Sequence, residues 1–332
     1  MKGIKVLKRD GERVRNKLLE DGTLSKDHRI FTDGEHIYFP VTEDVPGYES
    51  VELEFSIIKR EPTFEEMIGR IVPKDLVPLL RTFDSIGDIA VMEFDDALIP
   101  YSRNIAELFL QTHKHFKTAL MKGSSVNGKY RTREYQHLAG EERSTTRHKE
   151  HGMTFELDLR KMFYTPRMAN ERRRVAGLVK DGETVIDMFC GVGPFSIAIA
   201  KYASPAAVYA IDLNEDAIEY LKRNLDINHV SKIEPICGDA NEEIKDLPPG
   251  DRVIMNLPKI SGQFLSAAIA NIKKNGMIHY YTIMEDDKSD EIENFIARKA
   301  EQLKRKASIV ELVKIKPYSP HTYLTSFDII IV

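Results

Sequence analysis

A glycine-containing segment in the second half of the sequence has residue types that suit ligand binding by the main chain. It reads D-M-F-C-G-V-G-P-F-S from Asp187 to Ser196. Two glycines one residue apart allow a sharp turn and a close approach of the backbone to a ligand at a helix N-terminus. A dinucleotide-binding fold would have a third glycine where this chain has Ser196, and Pro194 instead begins a helix. Alone, the glycine pair is a weak signal.

Polar residues at three later points strengthen this signal. Asp212 lies 25 residues after Asp187 and is placed to accept hydrogen bonds from ribose hydroxyls. Asp239 follows a glycine, at a point from which a carboxylate reaches an exocyclic amine of a purine. Asn256 begins the segment N-L-P-K. Its side-chain carbonyl and a backbone carbonyl held by Pro258 accept hydrogens from a planar amine or ring N–H, which steers a nitrogen lone pair towards an electrophile.

Each of these pieces also has a structural interpretation. Glycines can serve packing alone, and Asp212 or Asp239 can serve as a helix cap. Four pieces in order along the chain, each after an apolar run, favour a ligand site.

Short apolar runs precede these residues and alternate with helical stretches from about residue 181 onward. Nearly all their residues are apolar, which is typical of strands buried on both faces. The alternation predicts βαβ units, a parallel sheet with helices on both sides, and ligands at the carboxyl ends of the strands. The predicted strands are 184–188, 207–211, 232–236, 252–255 and 277–281.

The earlier part of the chain is predicted to contain two smaller regions. Residues 1–60 show strands near 4–7, 36–41 and 51–58 and a helical pattern at 11–21. The polar, proline-marked segment 61–67 is predicted to be a linker. Residues 68–155 are predicted to form a middle region with a strand at 86–91 and a long helix at 104–120, followed by the larger α/β domain at 156–332.

Charge and composition limit the class of protein. The 332 residues carry a net charge of -4, but residues 111–180 contain 16 Lys and Arg against 7 Asp and Glu. Aromatic residues lie between these charges, so the stretch favours an RNA surface over an ordinary solvated face. Two cysteines exclude a disulfide framework and a four-cysteine zinc site, and indicate a reducing compartment. The apolar runs stop short of the roughly 18 residues of a membrane span, and the start lacks a signal-peptide core, so we expect a cytoplasmic protein.

The stretch from Arg131 to Glu141, R-T-R-E-Y-Q-H-L-A-G-E, resembles a motif of the archaeal and eukaryotic tRNA (guanine-37-N1)-methyltransferases. So do residues 166–167, 171–172, 256–259 and 279–282. The strand-end motifs are similar to those of class I S-adenosylmethionine-dependent methyltransferases with a nitrogen target. The resemblance implies an α/β catalytic domain with a Rossmann-like, doubly wound, mostly parallel sheet. It also implies two smaller α/β or α+β domains before it, the first docking tRNA and the second binding RNA.

The resemblance further implies the cofactor, the partner and the site residues. S-adenosylmethionine is the expected cofactor, and guanosine 37 of tRNA, next to the anticodon, is the expected target. Arg131 would recognise the guanine, Glu171 would take the N1 proton, and Asn256 and Pro258 would hold the guanine edge. The expected cofactor-binding residues are Arg172, Phe189, Gly191, Gly193, Asp212, Leu213, Asp239, Ala240 and Asn256. We expect contacts with the anticodon stem-loop and the outer corner of tRNA, no DNA or membrane partner, no metal, and a monomer.

Several alternatives stay open on the sequence alone. Glu171 begins the run E-R-R-R, whose spacing favours a solvated helix face. Arg131 and Arg133 can instead contact phosphates, and Cys237 is expected in the core. The nearest functional alternative is a wybutosine-pathway enzyme that transfers an aminocarboxypropyl group or methylates a tricyclic guanosine intermediate. A second is a non-catalytic RNA-binding protein with a methyltransferase fold. An amino-group methyltransferase for DNA or protein gives no reason for the 131–141 segment.

Overall fold

The computed structural model describes residues 1–58, 63–123 and 133–332. Contacts between residues divide the chain into two units, Met1–Met67 and Ile68–Val332. Residues 61 and 62 of the predicted linker lie outside the described residues. Its last four residues, 64–67, belong to helix α2 (Phe64–Ile68). The predicted boundary at residue 155 stays a prediction.

The first unit is a four-stranded antiparallel sheet with one helix against it. Val14 and Leu18 lie on the apolar side of that helix and pack with Ile4 and Phe39 of the sheet. The strand predicted at 51–58 ends early, because beyond it only an isolated bridge joins the chain to its neighbour. The sheet order is β2-β3-β1-β4, and the elements are β1 (Lys2–Leu7), α1 (Gly11–Glu20), β2 (Phe31–Thr32), β3 (His36–Pro40), β4 (Glu49–Glu52) and α2 (Phe64–Ile68).

The second unit begins with a mixed sheet in the order β5-β6-β7-β8. Its elements are β5 (Asp84–Ile86), β6 (Ile89–Met92), α3 (Ser102–Thr112), β7 (Thr118–Lys122) and β8 (Tyr135–Gly140). Two predictions are wrong here. The single strand at 86–91 is a hairpin, because Gly87 adopts a φ of 58° and turns the chain. The helix predicted to reach 120 ends at Thr112, because residues 118–121 pair in parallel with β6 and bury Ala119 and Leu120.

A seven-stranded sheet forms the rest of the second unit, in the order β13-β12-β11-β14-β15-β17-β16. The five strands from β13 to β15 are parallel, and β17 runs antiparallel to β15. The elements from the preceding hairpin onward are β9 (Thr145–Glu150), β10 (Met153–Asp158), α4 (Ala169–Leu178), β11 (Thr184–Asp187), α5 (Pro194–Tyr202), β12 (Ala207–Asp212), α6 (Glu215–Asn228), β13 (Ile233–Cys237), α7 (Ala240–Glu243), β14 (Gly250–Met255), α8 (Leu265–Ala270), β15 (Ile272–Glu285), α9 (Ser289–Gln302), β16 (Ala307–Ser319) and β17 (Thr322–Ile331).

Apolar residues on both faces of this sheet are buried, as the sequence predicted. Val185 and Ile254 belong to the core on one face, while their neighbours Ile186 and Val253 belong to the core on the other. Because successive strand residues point to opposite faces, both faces must be covered by helices. The predicted α/β fold, with a Rossmann-like doubly wound and mostly parallel sheet, is confirmed.

Two asparagines of α6 attach the β9–β10 hairpin to the part of the chain that forms the seven-stranded sheet. Asn224 accepts the main-chain N–H of Glu156 (2.7 Å) and donates to its carbonyl (3.1 Å). Asn228 does the same at Thr154, with distances of 2.8 and 2.7 Å. Each side-chain amide thereby replaces a strand partner for the edge of the hairpin. Among the described residues, no helix combines the length and apolar content needed to cross a bilayer.

Candidate active site

A cavity of about 360 Å³ lies where the parallel strands β11 to β14 end. This is the edge at which ligands of open α/β sheets bind. Its lining combines the loops after these strands with the segment before α4 and residues of β15 to β17. The predicted site residues in its wall are Arg172, Phe189, Gly191, Asp212, Leu213, Asp239, Ala240, Asn256 and Pro258.

The two glycines of the loop after β11 have different roles. Gly191 lines the cavity with a φ of 54°, and open space lies where a Cβ would project. Gly193 also has a positive φ, 87°, but a Cβ there would lie 2.3 Å from Leu221. Because Gly193 packs against α6 and does not line the cavity, the structure gives it the role of shaping the turn.

Asp187 and Ser196 hold this loop from beneath. The Ser196 hydroxyl donates a 2.7 Å hydrogen bond to Asp187 Oδ2, and both side chains are fully buried. Burial raises the pKa of the Asp187 carboxyl to about 7, although the Ser196 hydrogen bond opposes this shift. The serine at the position of a third glycine therefore ties α5 to the end of β11.

Asp212 connects the glycine loop to the loop after β12. Its Oδ2 accepts the N–H of Gly191 at 2.7 Å, and its Oδ1 accepts the N–H of Asn214 at 2.9 Å. Burial raises the pKa of Asp212, while these main-chain hydrogen bonds lower it. Each carboxylate oxygen has two lone pairs, so both retain capacity to accept from a ligand in the cavity.

Asp239 caps a helix and also lines the cavity, so its cofactor role stays a prediction beside the cap. Its Oδ1 accepts the N–H of Asn241 at 2.9 Å and caps the short helix α7. The same residue is exposed and lines the cavity. The cap fixes the orientation of the carboxylate towards the cavity.

Residues around Asn256 form the wall between the strand-end carboxylates and β15. Asn256, Pro258 and Lys259 all line the cavity directly after β14. Of the two arginines of the R-x-R segment, Arg131 lies outside the described residues. Arg133 lines the cavity, and its buried Nε has no hydrogen-bond partner in the described part of the chain.

Arg172 reaches the cavity from a buried ion pair. Its guanidinium bonds to Glu150 and donates to the carbonyl of Thr165 at 2.8 Å. It also lies 5.0 Å from the centre of the Tyr164 ring, whose hydroxyl donates to Glu150 at 2.8 Å. The side chains of Arg172 and Glu150 are 3% and 2% exposed, so each neutralises a charge that would otherwise be costly to bury. No motif in the sequence marks Glu150, so its pairing with Arg172 is visible only in the structure.

Glu171 is buried and does not line the cavity, although Arg172, the next residue in α4, does. Its carboxylate, 4% exposed, accepts hydrogen bonds from Arg174 Nε (2.8 Å), Arg174 Nη2 (2.8 Å) and the Tyr281 hydroxyl (2.7 Å). Burial raises the pKa of Tyr281 well above its ordinary value, so this hydroxyl stays a donor. A solvated helix face is wrong for Glu171 and Arg172; of the E-R-R-R run only Arg173 is exposed.

A line of alternating charges extends from Glu171 across the sheet. Arg174 donates to Asp328 Oδ2 at 2.7 Å, and Asp328 Oδ1 lies 2.7 Å from Nδ1 of His279. Arg252 lies 2.7 Å from the other ring nitrogen of His279 and also pairs with Glu183. Because Arg252 can only donate, Nε2 accepts and the proton of the neutral ring must be on Nδ1.

The pKa shifts in this line agree with that assignment. Burial lowers the pKa of His279, although Asp328 opposes the shift. Burial alone would raise the pKa of Asp328, but the hydrogen bonds of His279 and Arg174 outweigh it and hold the pKa well below its usual range. His279, one of the motif residues, is therefore a buried structural group.

The remaining reactive side chains give no further site at this cavity. Cys190 is buried in the glycine loop, where burial raises its thiol pKa well above the ordinary value. The prediction that Cys237 lies in the core is wrong, because it is exposed at the end of the edge strand β13. Within residues 1–58, 63–123 and 133–332, no group of three or more His, Cys, Asp or Glu is arranged to hold a metal ion.

Three family models match the chain in sequence. The TRM5/TYW2 methyltransferase domain matches residues 146–311, the tRNA methyltransferase 5 N-terminal domain matches residues 3–49, and the TYW2 N-terminal domain matches residues 64–144.

Curated relatives and solved structures match over nearly the full length. The chain is 39% identical to tRNA (guanine(37)-N(1))-methyltransferase Trm5b of Pyrococcus abyssi, covering 98% of this chain and 97% of the relative. The Methanocaldococcus jannaschii Trm5b is 36% identical with the same coverage. The crystal structure of the Pyrococcus abyssi Trm5b has a TM-score of 0.84 at 37% identity, covering 100% of this chain and 99% of that one. A complex of aTrm5 with tRNALeu has a TM-score of 0.77 at 33% identity and covers 99% of both chains.

Proposed function

The chain belongs to the TRM5/TYW2 methyltransferase family, and we propose that it transfers the methyl group of S-adenosylmethionine to N1 of guanosine 37 of tRNA. One observation carries this proposal. The carboxylates at the ends of β12 and β13 share a single cavity with the Asn256–Pro258 segment at the end of β14. A nucleoside cofactor and a planar nitrogen base therefore find complementary groups side by side.

The described residues fit S-adenosylmethionine. Gly191 leaves open space on the cavity side, and Asp212 and Asp239 offer acceptors for ribose hydroxyls and a purine amine. When bound, S-adenosylmethionine supplies an electrophilic methyl group on its sulfonium sulfur. Arg172 lines the same cavity, and its ion pair with Glu150 fixes the position of its guanidinium group.

The chemistry of guanine defines the rest of the proposed site. N1 of guanine carries a proton at neutral pH, so a base has to remove it as the new N–C bond forms. We propose Glu171 for this role and Asn256 and Pro258 for holding the guanine edge. We propose Arg131 as the donor to O6, which would stabilise the negative charge that develops as N1 loses its proton. A guanine unstacked from an anticodon loop can be held in this way, whereas a base inside a helix cannot.

We further propose that residues 1–60 dock the outer corner of tRNA and that residues 68–155 contact the anticodon stem-loop. The excess of Lys and Arg between residues 111 and 180 supports an RNA surface in that region. A monomeric, cytoplasmic enzyme is the simplest form of this proposal.

The direct test is to map the product. Unmodified tRNA transcripts are incubated with the protein and labelled S-adenosylmethionine, and the modified nucleotide is located and weighed. We expect one added methyl group on guanosine 37 and none in a transcript with adenosine at that position. An added aminocarboxypropyl group, which is far heavier, or activity only on a tricyclic guanosine would favour the wybutosine-pathway alternative. The aminocarboxypropyltransferase of Methanocaldococcus jannaschii is 33% identical over 74% of this chain, which is less than the identity and coverage of the two guanosine-37 methyltransferases above.

Replacing Asp212 should weaken cofactor binding. We expect Asp212→Ala to raise the dissociation constant of S-adenosylmethionine by about 10- to 150-fold, because charge-assisted hydrogen bonds worth about 1.5–3 kcal/mol are lost. Calorimetric titration measures this change. Asp216→Ala is the matched control, since Asp216 lies four residues on, pairs with Lys161 and does not line the cavity. Equal affinities in the two variants would remove Asp212 from the cofactor site.

Replacing Asn256 should affect turnover more than cofactor affinity. We expect Asn256→Ala to lower single-turnover methyl transfer by about 10²-fold, because the proposed partner of the side chain is the guanine and its role is alignment. The cofactor's dissociation constant, measured in parallel, should change by less than about threefold. If the cofactor's affinity fell more than the rate, the assignment of Asn256 to the guanine edge would be wrong.

A further inference from the structure

Lys316 of β16 is a cation without a partner at the cavity wall. The residue lines the cavity and is half-buried, and its ammonium group makes no hydrogen bond or ion pair within the part of the chain that the structure describes. Burying part of an ammonium group without a counter-charge costs free energy. Such a cost at a ligand cavity indicates that the missing anion belongs to a ligand.

The surroundings of Lys316 are rich in positive charge. Arg167 and Lys122 both pair with Asp84, at 2.6 and 3.0 Å, and Lys122 also lies 3.5 Å from the half-exposed carboxylate of Glu93. Arg172 pairs with Glu150. Burial first, and then the nearby cations Arg167, Lys122 and Arg172, lower the pKa of Lys316 against the opposing effect of Asp84. An anion is therefore what this part of the cavity lacks.

The position of Lys316 in the sheet separates it from the cofactor residues. Lys316 pairs with Leu324 of β17, which pairs with Ile283 of β15, and all three line the cavity. This row lies up to three strand spacings beyond β14, about 14 Å. Most groups assigned to the cofactor follow β11, β12 and β13, on the other side of β14; the exceptions are Asn256, directly after β14, and Arg172 of α4. Lys316 thus lies on the substrate side of Asn256.

An exposed aromatic ring accompanies the lysine. Tyr318, two residues further along β16, lines the same cavity and is 52% exposed. Phe163 lines the cavity as well and is also exposed. Cations next to exposed aromatic rings are the combination that binds unstacked, single-stranded nucleic acid, since the cation meets the phosphate and the ring meets a base.

We propose that Lys316 binds a phosphodiester of the tRNA backbone adjacent to the unstacked target guanosine. This assignment rests on the proposed function for its choice of tRNA. It adds a substrate contact from the β16–β17 hairpin, beyond residue 311, where the match to the methyltransferase family model ends. The phosphate neutralises the unpaired ammonium group, and the contact fixes the target nucleotide at the mouth of the cavity.

Three variants of the full-length protein test the proposal. Lys316→Met removes the charge and keeps the length of the side chain, while Lys316→Arg keeps the charge. Lys314→Met is the matched control on the same strand, because Lys314 already pairs with Asp286. Affinity for an unmodified tRNA transcript is measured between 50 and 300 mM salt (roughly the range over which phosphate contacts dominate), and the affinity for S-adenosylmethionine is measured by calorimetry.

We expect Lys316→Met to weaken tRNA binding about tenfold near 0.1 M salt and to make the log–log salt slope shallower by about 0.9, as the loss of one phosphate contact requires. Lys316→Arg should keep the slope of the unaltered protein, and so should Lys314→Met. Affinity for S-adenosylmethionine should be unchanged in all three. The proposal is overturned if Lys316→Met keeps the full salt slope of tRNA binding. It is also overturned if Lys314→Met loses as much tRNA affinity as Lys316→Met, or if Lys316→Met loses affinity for S-adenosylmethionine and not for tRNA.

This binding experiment is independent of the chemistry of transfer. If the unaltered protein binds tRNA but puts no methyl group on guanosine 37, the proposed function fails while the result for Lys316 still stands. If guanosine 37 is methylated and Lys316→Met binds tRNA with the full slope, only the phosphate assignment fails.

Discussion

Glu171→Gln should slow single-turnover methyl transfer by roughly 10²–10⁴-fold, because an amide keeps the shape of the side chain but cannot accept the N1 proton. Affinities for tRNA and S-adenosylmethionine should change little, since the carboxylate acts in the transition state. Raising the pH should partly restore the rate of the variant, because solvent base then removes more of the N1 proton. Rapid-quench measurements across a pH series give these rates.

The position of Glu171 makes this result decisive. Arg174 and Tyr281 already hold the carboxylate, and its side chain does not form part of the cavity wall. One of its four lone-pair positions is free of the three hydrogen bonds described above. A purely structural glutamate would predict near-normal chemistry and reduced stability.

A matched control separates the two interpretations. Glu311→Gln removes another carboxylate from the same guanidinium, because Glu311 lies 3.1 Å from Arg174, but its side chain is 55% exposed. We expect Glu311→Gln to methylate at the normal rate. Comparable rates of methyl transfer for Glu171→Gln and the unaltered protein at neutral pH would show that Glu171 is not the base.

The sequence predicted the parts of the site that depend on local order along the chain. Apolar runs buried on both faces marked the parallel strands, and carboxylates directly after them had to meet at one edge of the sheet. For this reason Asp212, Asp239 and Asn256 were found from the sequence, and the structure brings all three to one cavity. Their roles towards the cofactor and the guanine stay predictions.

The sequence could not predict contacts that depend on distant parts of the chain. Glu150, at the end of β9, pairs with Arg172 of α4. Arg174 forms a hydrogen bond with Asp328, which lies 154 residues later in the chain. The helix predicted to reach residue 120 failed for the same reason, because the parallel partner of β7 is β6, about 30 residues earlier. Lys316 carries no motif, and only the row of residues across β15, β17 and β16 brings it to the cavity.

In the run E-R-R-R, the position of each arginine on the helix determines its surroundings, and the residue type does not. Consecutive residues on a helix point about 100° apart, so three adjacent arginines must face three directions. Arg172 faces the cavity, Arg173 lies exposed over the Tyr202 ring at 3.6 Å, and Arg174 faces the β16–β17 side of the sheet. Identical side chains therefore serve as cavity lining, in surface packing and in charge compensation.

Two arginine substitutions in this run leave the cavity wall intact, and Arg174→Ala should be the more destabilising of them. Its removal leaves the carboxylates of Glu171 and Asp328, 4% and 2% exposed, without their shared cation. Breaking a buried pair in this way costs about 3–5 kcal/mol, which corresponds to a fall in melting temperature on the order of 10 °C. Arg173→Ala is the matched control and should cost under about 1 kcal/mol, since it loses only a surface cation–π contact.

The pH dependence of the stability lost in Arg174→Ala identifies the cause of that loss. In the unaltered protein the pKa of Asp328 is held well below its usual range, so the carboxylate contributes stability above the unfolded pKa and loses it as the pH falls through the folded pKa. Arg174 supplies part of that shift. The stability difference between Arg174→Ala and the unaltered protein should therefore be largest at neutral pH and shrink as the pH falls below about 4. A difference that stays constant from pH 7 to pH 4 and below would mean that lost packing, and not an uncompensated carboxylate, destabilises the variant.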